Sequence, residues 1–563
     1  MNKKLCLWAV ITALFVFPWG LLAQATSGTI LGTVLDPSGT AVPGATVTID
    51  DVGKGTTQTV ETNESGNYTV GQLTPGTYRV TVNRPGFRRF VQENVSVGVA
   101  QSSRVDATLQ IGEASQEVTV TDAPPSIQTD RAEVQTSLTS GQISSLPVLN
   151  RNFTNLTLLT PGSVINTYQH APSENPQQST LVNTNGQLFA GTNYQLDGMN
   201  NNDSVLGITM VNPTVDSVGT FTASTSNYDA EYGATGAVIN VETKSGTNDF
   251  HGSAFEFLQN NIFQARDPFS QGLHDPGTPA PPNRGIPALR WNQFGGSLGG
   301  PIKKDKLFFF GDYQGTQRRM GASQSLRVPT ASERTGNLSD LGVRIYDPNS
   351  GNADGTGRTL FPNATIPTGF ISTPATNILN ALPLPNIPAA AAGLNNYATS
   401  VVETYNTNQF NIRADHYVTD KLKYFGRYSY LQANIVAPGP FGLYGGTAFP
   451  ALGFSGTSDA LNQNIASNVI YSFSPTLVGD IRFGFSRYRV NVGSLDANTQ
   501  LANTVGIPGL NINGRPDTNG LPQLNIMGNG GFNLGYNCNC PLLERKLFWI
   551  FKAIGQKPQE ITL

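Results

Sequence analysis

Residues 409–433 read QFNIRADHYVTDKLKYFGRYSYLQA. In an extended chain Phe410, Ile412, Ala414 and Val418 fall on one side, and Asn411, Arg413 and Asp415 on the other. That is the period of two of a strand with two unlike faces. His416 interrupts the apolar side near its end and reads as an interfacial residue rather than a ligand. Asp420-Lys421 makes a tight turn, and Lys423 to Ala433 returns with Tyr424, Tyr428 and Tyr430 together. The pattern recurs downstream. Asn464 to Phe473 sets Ile465, Val469, Tyr471 and Phe473 on one side, Ser474-Pro475-Thr476 turns the chain, and Leu477 to Val490 sets Ile481, Phe483 and Phe485 against Asp480, Arg482, Gly484 and Ser486. Charges alternating singly with aromatics suit membrane strands of about 9–11 residues, with lipid on one face and a polar lumen on the other. The outer face of a soluble sandwich rarely carries so many aromatics. Between such strands Asp267 to Arg284 and Pro329 to Asn396 are long, polar and rich in Pro, Asn and Gly, as extracellular barrel loops are.

Composition agrees with a turn-rich, ordered, all-β-dominated chain. Of 563 residues, 60 are Gly and 36 Pro, and aromatics make up 9%. Lys+Arg is 35 and Asp+Glu 38, a net charge of -3, so the basic excess of a nucleic-acid binder is missing and no nucleic-acid partner is expected. Past the N-terminus no segment offers the ~20 apolar residues of a spanning helix. At the N-terminus Lys3 and Lys4, an apolar run from Leu5 to Leu22 and Ala23-Gln24-Ala25 read as a secretory signal peptide, residues 1–25.

No constellation for chemistry emerges. The four histidines, His170, His251, His274 and His416, stand in no H-x-x-E or H-E-x-x-H spacing, so no zinc site and no metal is expected. Asp197, Asn200, Asn201, Asn202 and Asp203 are rich in oxygen, but Met199 and the lack of a Glu at the twelfth position break the spacing of a calcium loop; they read as a polar loop. The Gly-rich stretch Gly295 to Pro301 lacks the G-K-[ST] of a phosphate loop, and no G-x-S-x-G elbow supports a hydrolase. No catalytic residue and no cofactor is assigned.

Upstream, Ala45, Val47 and Ile49 alternate with Thr46 and Thr48, and short strands separated by Asp36-Pro37-Ser38-Gly39, Ser65-Gly66-Asn67, Pro75-Gly76 and Pro85-Gly86 imply a β-sandwich. Gly32 to Ile49 (GTVLDPSGTAVPGATVTI) and Glu64 to Phe87 (ESGNYTVGQLTPGTYRVTVNRPGF) resemble the carboxypeptidase regulatory-like domain, which implies a transthyretin-like sandwich over residues 26–112 without catalytic residues of its own. Glu117, Val118, Thr119, Val120 and Thr121, ahead of Pro124-Pro125, form an extended alternating segment of the kind that adds to a partner's sheet edge. It resembles the TonB box of TonB-dependent outer-membrane receptors. Gln142 to Gly162, Asn193 to Gly198 (NYQLDG) and Ser226 to Asn248, with Val238 to Val241 as a buried strand, are similar to the plug of such receptors, closest to the Oar-like subgroup. Phe250 to Asn260, Asn292 to Gln317 and Val328 to Asp340 look like the opening barrel strands of that subgroup.

The resemblance implies an α+β plug with its TonB box over 113–245, and over 246–563 the N-terminal part of an antiparallel transmembrane β-barrel with long extracellular loops. It implies a receptor in the outer membrane of a Gram-negative bacterium. Its partners would be the inner-membrane energy-coupling protein TonB, the outer-membrane lipid and an extracellular substrate the sequence does not name. The tail from Arg545 (RKLFWIFKAIGQKPQEITL) reads as having lost the alternation, and with room for about half a barrel the chain reads as a truncated or frameshifted copy of a longer receptor. Cys538-Asn539-Cys540, ahead of this tail, receives no function. Two other readings stay open: a surface or secreted β-sandwich protein for adhesion or glycan binding, and a receptor fragment without function.

Overall fold

Alternating sequence builds three bodies in chain order. The computed structural model describes residues 27–556 apart from 99–100, 114–116, 122–132, 229, 266–287, 388–393, 447–454, 475–476, 527–531 and 537–541. The leader read at 1–25, the loop 267–284 and Cys538-Asn539-Cys540 lie outside the described residues. Among the described residues no helix is long and apolar enough to cross a membrane.

The first body is a sandwich. Strands β1 (Gly28–Leu35), β4 (Asn67–Leu73), β7 (Ser102–Arg104) and β8 (Ala107–Thr108) form one sheet. Strands β2 (Thr46–Asp51), β3 (Thr57–Glu61), β5 (Gly76–Asn83), β6 (Arg89–Val97) and β9 (Glu117–Val120) form the other, in the order β3-β2-β5-β6-β9. The alternation sets the core directly: Ala45, Val47 and Ile49 are buried and pack with Ile30, Val34, Val80 and Val82. The Asp36 carboxylate closes its turn by accepting hydrogen bonds from the backbone of Ser38 and Thr40 at 2.8 and 3.0 Å.

The second body is a small mixed sheet of β10 (Val134–Thr139), β13 (Asn193–Leu196), β14 (Met199–Asn200), β15 (Val218–Ser226) and β16 (Val238–Thr243), in the order β10-β15-β16-β13-β14, with β11 (Ser163–Ile165) and β12 (Val182–Thr184) as a separate pair. A short helix, Ser140–Ser145, follows β10 and is capped by Thr139 and Gln142. Leu196, Phe221, Ala223, Ile239 and Val241 form the core, so Val238 to Val241 is the buried strand its sequence suggests.

The third body is an antiparallel wall of eight strands. In order they are β17 (His251–Asn260), β18 (Leu289–Lys303), β19 (Leu307–Leu326), β20 (Tyr397–Thr419), β21 (Leu422–Ala437), β23 (Gly456–Ser474), β24 (Leu477–Gly493) and β27 (Leu542–Gln556). Among the described residues β17 and β27 each pair on one side only. Burial is inverted relative to a soluble sheet. Ile412, Tyr424, Tyr471 and Ile481 are exposed, while Asn411, Arg413, Asp415, Asp480 and Arg482 are buried on the face that meets the second body. Gly295 to Pro301 lies inside strand β18, not at the start of a helix.

The tail corrects one expectation. Leu542–Gln556 is a full wall strand, paired with β24 from Val492↔Leu542 to Val478↔Gln556. Leu543, Leu547, Trp549 and Phe551 face outward, and Phe548 and Ile550 face inward onto apolar residues of the second body. Both faces are apolar there, which hides the alternation in the sequence.

Short turns join the wall strands at one end, and the long connections lie at the other. The sandwich sits at the short-turn end: Asn248 donates its backbone N–H to the Gly53 carbonyl at 2.9 Å, and the Lys54 ammonium lies 5.7 Å above the Tyr417 ring. At the other end the connections fold on themselves. The strands β22 (Gly445–Gly446), β25 (Leu524–Ile526) and β26 (Phe532–Tyr536) form a small sheet, and Leu534 of β26 joins Ile378 of the helix Thr373–Ala381, Val328, Phe441 and Val505 in an apolar cluster.

Candidate functional site

The contact between the second body and the wall buries charged side chains from both, among them Asp197, Glu242, Arg413, Asp415 and Arg427. Its centre comes from a local rule. Asp197 and Gly198 have φ of 50° and 72°, the two positive values of a type I′ hairpin, which Asp-Gly favours. The turn joins β13 to β14 and holds the Asp197 carboxylate against the wall, where Thr243 donates its backbone N–H to it at 2.8 Å. The wall answers with two guanidinium groups, Arg413 on β20 and Arg427 on β21. Arg413 Nη1 reaches Asp197 at 3.1 Å, Glu242 at 3.0 Å and the Thr243 carbonyl at 2.9 Å, and Nη2 reaches Asp415 at 3.0 Å. Arg427 Nε donates to the other Asp197 oxygen, and its Nη2 to Asn464 at 2.5 Å.

Three carboxylates therefore share two guanidiniums, and one carboxylate is short of a partner. Among the described residues none donates a hydrogen bond to Glu242 Oε2. Burial pushes the Glu242 carboxyl up, to about 8; the Asp197 carboxylate adds to the rise and Arg413 opposes it. The folded protein then holds this proton more tightly than the unfolded chain. The resulting stabilisation is present at acid pH and is lost as pH rises from about 4.5 towards 8. A Glu242→Gln chain should therefore show a flatter dependence of melting temperature on pH than wild type across that range. Thermal unfolding in detergent at a series of pH values checks this, and parallel curves would refute it.

Around this centre further wall side chains clamp loops of the second body. Thr214 donates to Asp312 at 2.6 Å, Lys546 to Asp203 at 2.7 Å, Tyr405 to the Pro176 carbonyl at 2.8 Å and Tyr488 to the Glu174 carbonyl at 2.7 Å. Arg151 pairs with Asp216 and stacks 4.1 Å from the Phe255 ring. Leu181, Ile208 and Met210 pack on Leu431, Ile435, Tyr488 and Val490 of the wall. A narrow gap of about 40 Å³, lined by Gln177, Trp291, Gln314, Tyr405 and Gln409 among others, lies between the two, room for a water or two. A larger cleft of about 560 Å³ opens at the short-turn end, between Lys54 and Thr77 of the sandwich and Thr220 and Lys244 of the second body.

The oxygen-rich loop thus acts through ion pairs. Asp197 and Asp203 each meet a cation of the wall, while Asn202 serves the backbone of Tyr194 and Thr192. No group of three or more His, Cys, Asp or Glu among the described residues could hold a metal ion. Glu117 to Thr121 lie apart from this contact. Glu117–Val120 pairs in parallel with Arg89–Gln92 of β6, as the outermost strand of the sandwich sheet.

Comparison with known proteins adds the following. Residues 242–551 match the family model described as outer membrane beta barrel domain, and residues 29–110 match the carboxypeptidase regulatory-like domain. The chain is 27% identical over 333 residues to the TonB-dependent transporter Oar of Myxococcus xanthus, an alignment covering 57% of this chain and 30% of that protein. The chain thus spans about 30% of the length of this curated relative. Among solved structures, a mutant ferric enterobactin receptor of Pseudomonas aeruginosa in complex with enterobactin is similar at 11% identity and a TM-score of 0.39, over 76% of this chain and 47% of that one. The siderophore receptor PirA of Acinetobacter baumannii is similar at 13% identity and a TM-score of 0.29, over 65% and 49%.

Proposed function

This chain belongs to the outer membrane beta barrel family, and from that membership we propose that it works as a TonB-dependent transporter of the outer membrane. The wall, within 246–563, is read as the N-terminal part of a barrel with its polar face toward the lumen, and the body within 113–245 as its plug. The observation that carries the reading is the seating of that body on the inward, polar face of the wall through Arg413 and Arg427. A body held there by buried ion pairs, and joined to the wall through residues 244–250, covers the polar face and would be moved by a force applied from outside the contact. Glu117 to Thr121 is the candidate handle for that force. A substrate would enter from the long-loop end, and the inner-membrane TonB protein would pull from the sandwich end. No bond of the substrate is made or broken, so no catalytic group is needed.

Deleting Glu117–Thr121 should abolish capture of the full chain by the purified periplasmic domain of TonB, with the amount in the outer membrane unchanged. An adhesion protein would lose nothing by the deletion. Undiminished capture would refute the assignment of this segment.

A further inference from the structure

The candidate coupling segment is already in use within the molecule. Four of its five residues pair with β6 in the register Arg89↔Glu117, Phe90↔Val118, Val91↔Thr119 and Gln92↔Val120. Val120 packs on the apolar core of the sandwich. Two side-chain amides hold its end: Gln92 Nε2 donates to the Val120 carbonyl at 3.3 Å and Asn94 Nδ2 to the Thr121 carbonyl at 3.2 Å. Asn94 does so from a positive φ of 57°, a conformation that Asn tolerates better than most residues. Recognition by strand addition draws affinity from main-chain bonds and selectivity from alternate side chains. Here one edge of the segment and the Val120 side chain are both engaged by the sandwich.

We propose that the sandwich competes with the energy-coupling partner for this segment. Strand β6 holds Glu117–Val120 in a closed state, and the partner binds only molecules in which that strand has peeled away. The inference rests on reading Glu117 to Thr121 as the coupling segment. It gives the sandwich a role, since apparent affinity falls by the fraction of molecules in which the segment is docked. Substrate-driven movement of the plug, which is joined to the segment through residues 122–133, would act by shifting that fraction.

The test uses the full chain in detergent and the purified periplasmic domain of TonB. A Val91→Cys/Thr119→Cys pair staples the two strands on the face away from the sandwich core, in a background where Cys538 and Cys540 are serine. Oxidation should lower capture at least tenfold, and dithiothreitol should restore it. A Gln92→Ala/Asn94→Gly chain loosens the strand while glycine keeps the positive φ, and should be captured about three- to tenfold more tightly. The proposal is overturned if the oxidised staple is captured as well as wild type, or if the loosened chain is captured no better. Both outcomes differ from failure of the underlying reading, in which deletion of Glu117–Thr121 leaves capture intact.

Discussion

An Arg413→Met chain should reach the membrane and fail to hold its plug. The substitution keeps much of the side chain's bulk and removes the one cation that touches Asp197, Glu242 and Asp415 together. Arg427 remains, but its ion pair is with Asp197 alone. A buried pair is weak evidence of stability in itself, since desolvation offsets much of the Coulomb gain. Breaking one from a single side is different, because the orphaned charges stay buried, at a cost of about 3–5 kcal/mol. The expected readout is rapid cleavage of residues 134–243 by a dilute protease in detergent, where the wild-type segment resists. Adding Asp197→Asn and Glu242→Gln to Arg413→Met should recover part of that resistance, because the orphaned charges are then gone. Wild-type resistance in the single variant would show that the apolar contacts of Leu181, Ile208 and Met210 suffice to seat the plug.

The neighbouring residue gives the second large effect, through the opposite face. Ile412 is 55% exposed and Arg413 is 4% exposed, one position apart on the same strand. In a soluble sheet, replacing an exposed isoleucine with arginine costs little. On the lipid face of a barrel it costs about 2–4 kcal/mol near the bilayer midplane and little at the interfaces. Ile412 lies about 23 Å along β20 from its Thr419 end at ~3.3 Å per residue, and strand tilt brings that well within the ~25 Å apolar band. Ile412→Arg should therefore sharply reduce the amount of protein in the outer-membrane fraction. The same change at Val418, one residue from the end of β20, should be tolerated. Equal recovery of both would argue against a lipid-facing surface at Ile412.

The pattern behind that pair was legible because it is local. Alternation over Gln409 to Thr419 separates Ile412 from Arg413 without knowledge of any partner, and the same holds for Ile481 against Arg482 and for Val47 and Ile49 in the sandwich. The partners were not legible. Asp197 lies 216 residues from Arg413 and 230 from Arg427, so no spacing could connect them. Asp197-Gly198 is a pair that favours a tight turn, which is how the carboxylate reaches the wall, but that local signal went unread beside a choice between a calcium loop and a polar loop. Arg545 onward failed for a related reason. The inward positions Phe548 and Ile550 meet an apolar plug, and a strand with two apolar faces shows no period. The docking of Glu117–Val120 on β6 was hidden too, since parallel pairing leaves no hairpin signature between its partners.

The two border strands of the wall set a demand that the rest of the molecule does not. β17 has ten residues and β27 fifteen, and along each the outward half of the main chain has no partner strand among the described residues. Water would satisfy those groups at little cost, but hydrocarbon leaves each of them several kcal/mol short. In lipid these borders behave like open valences. A strand of any sequence could satisfy them, because what they lack is main-chain partners and not side-chain contacts.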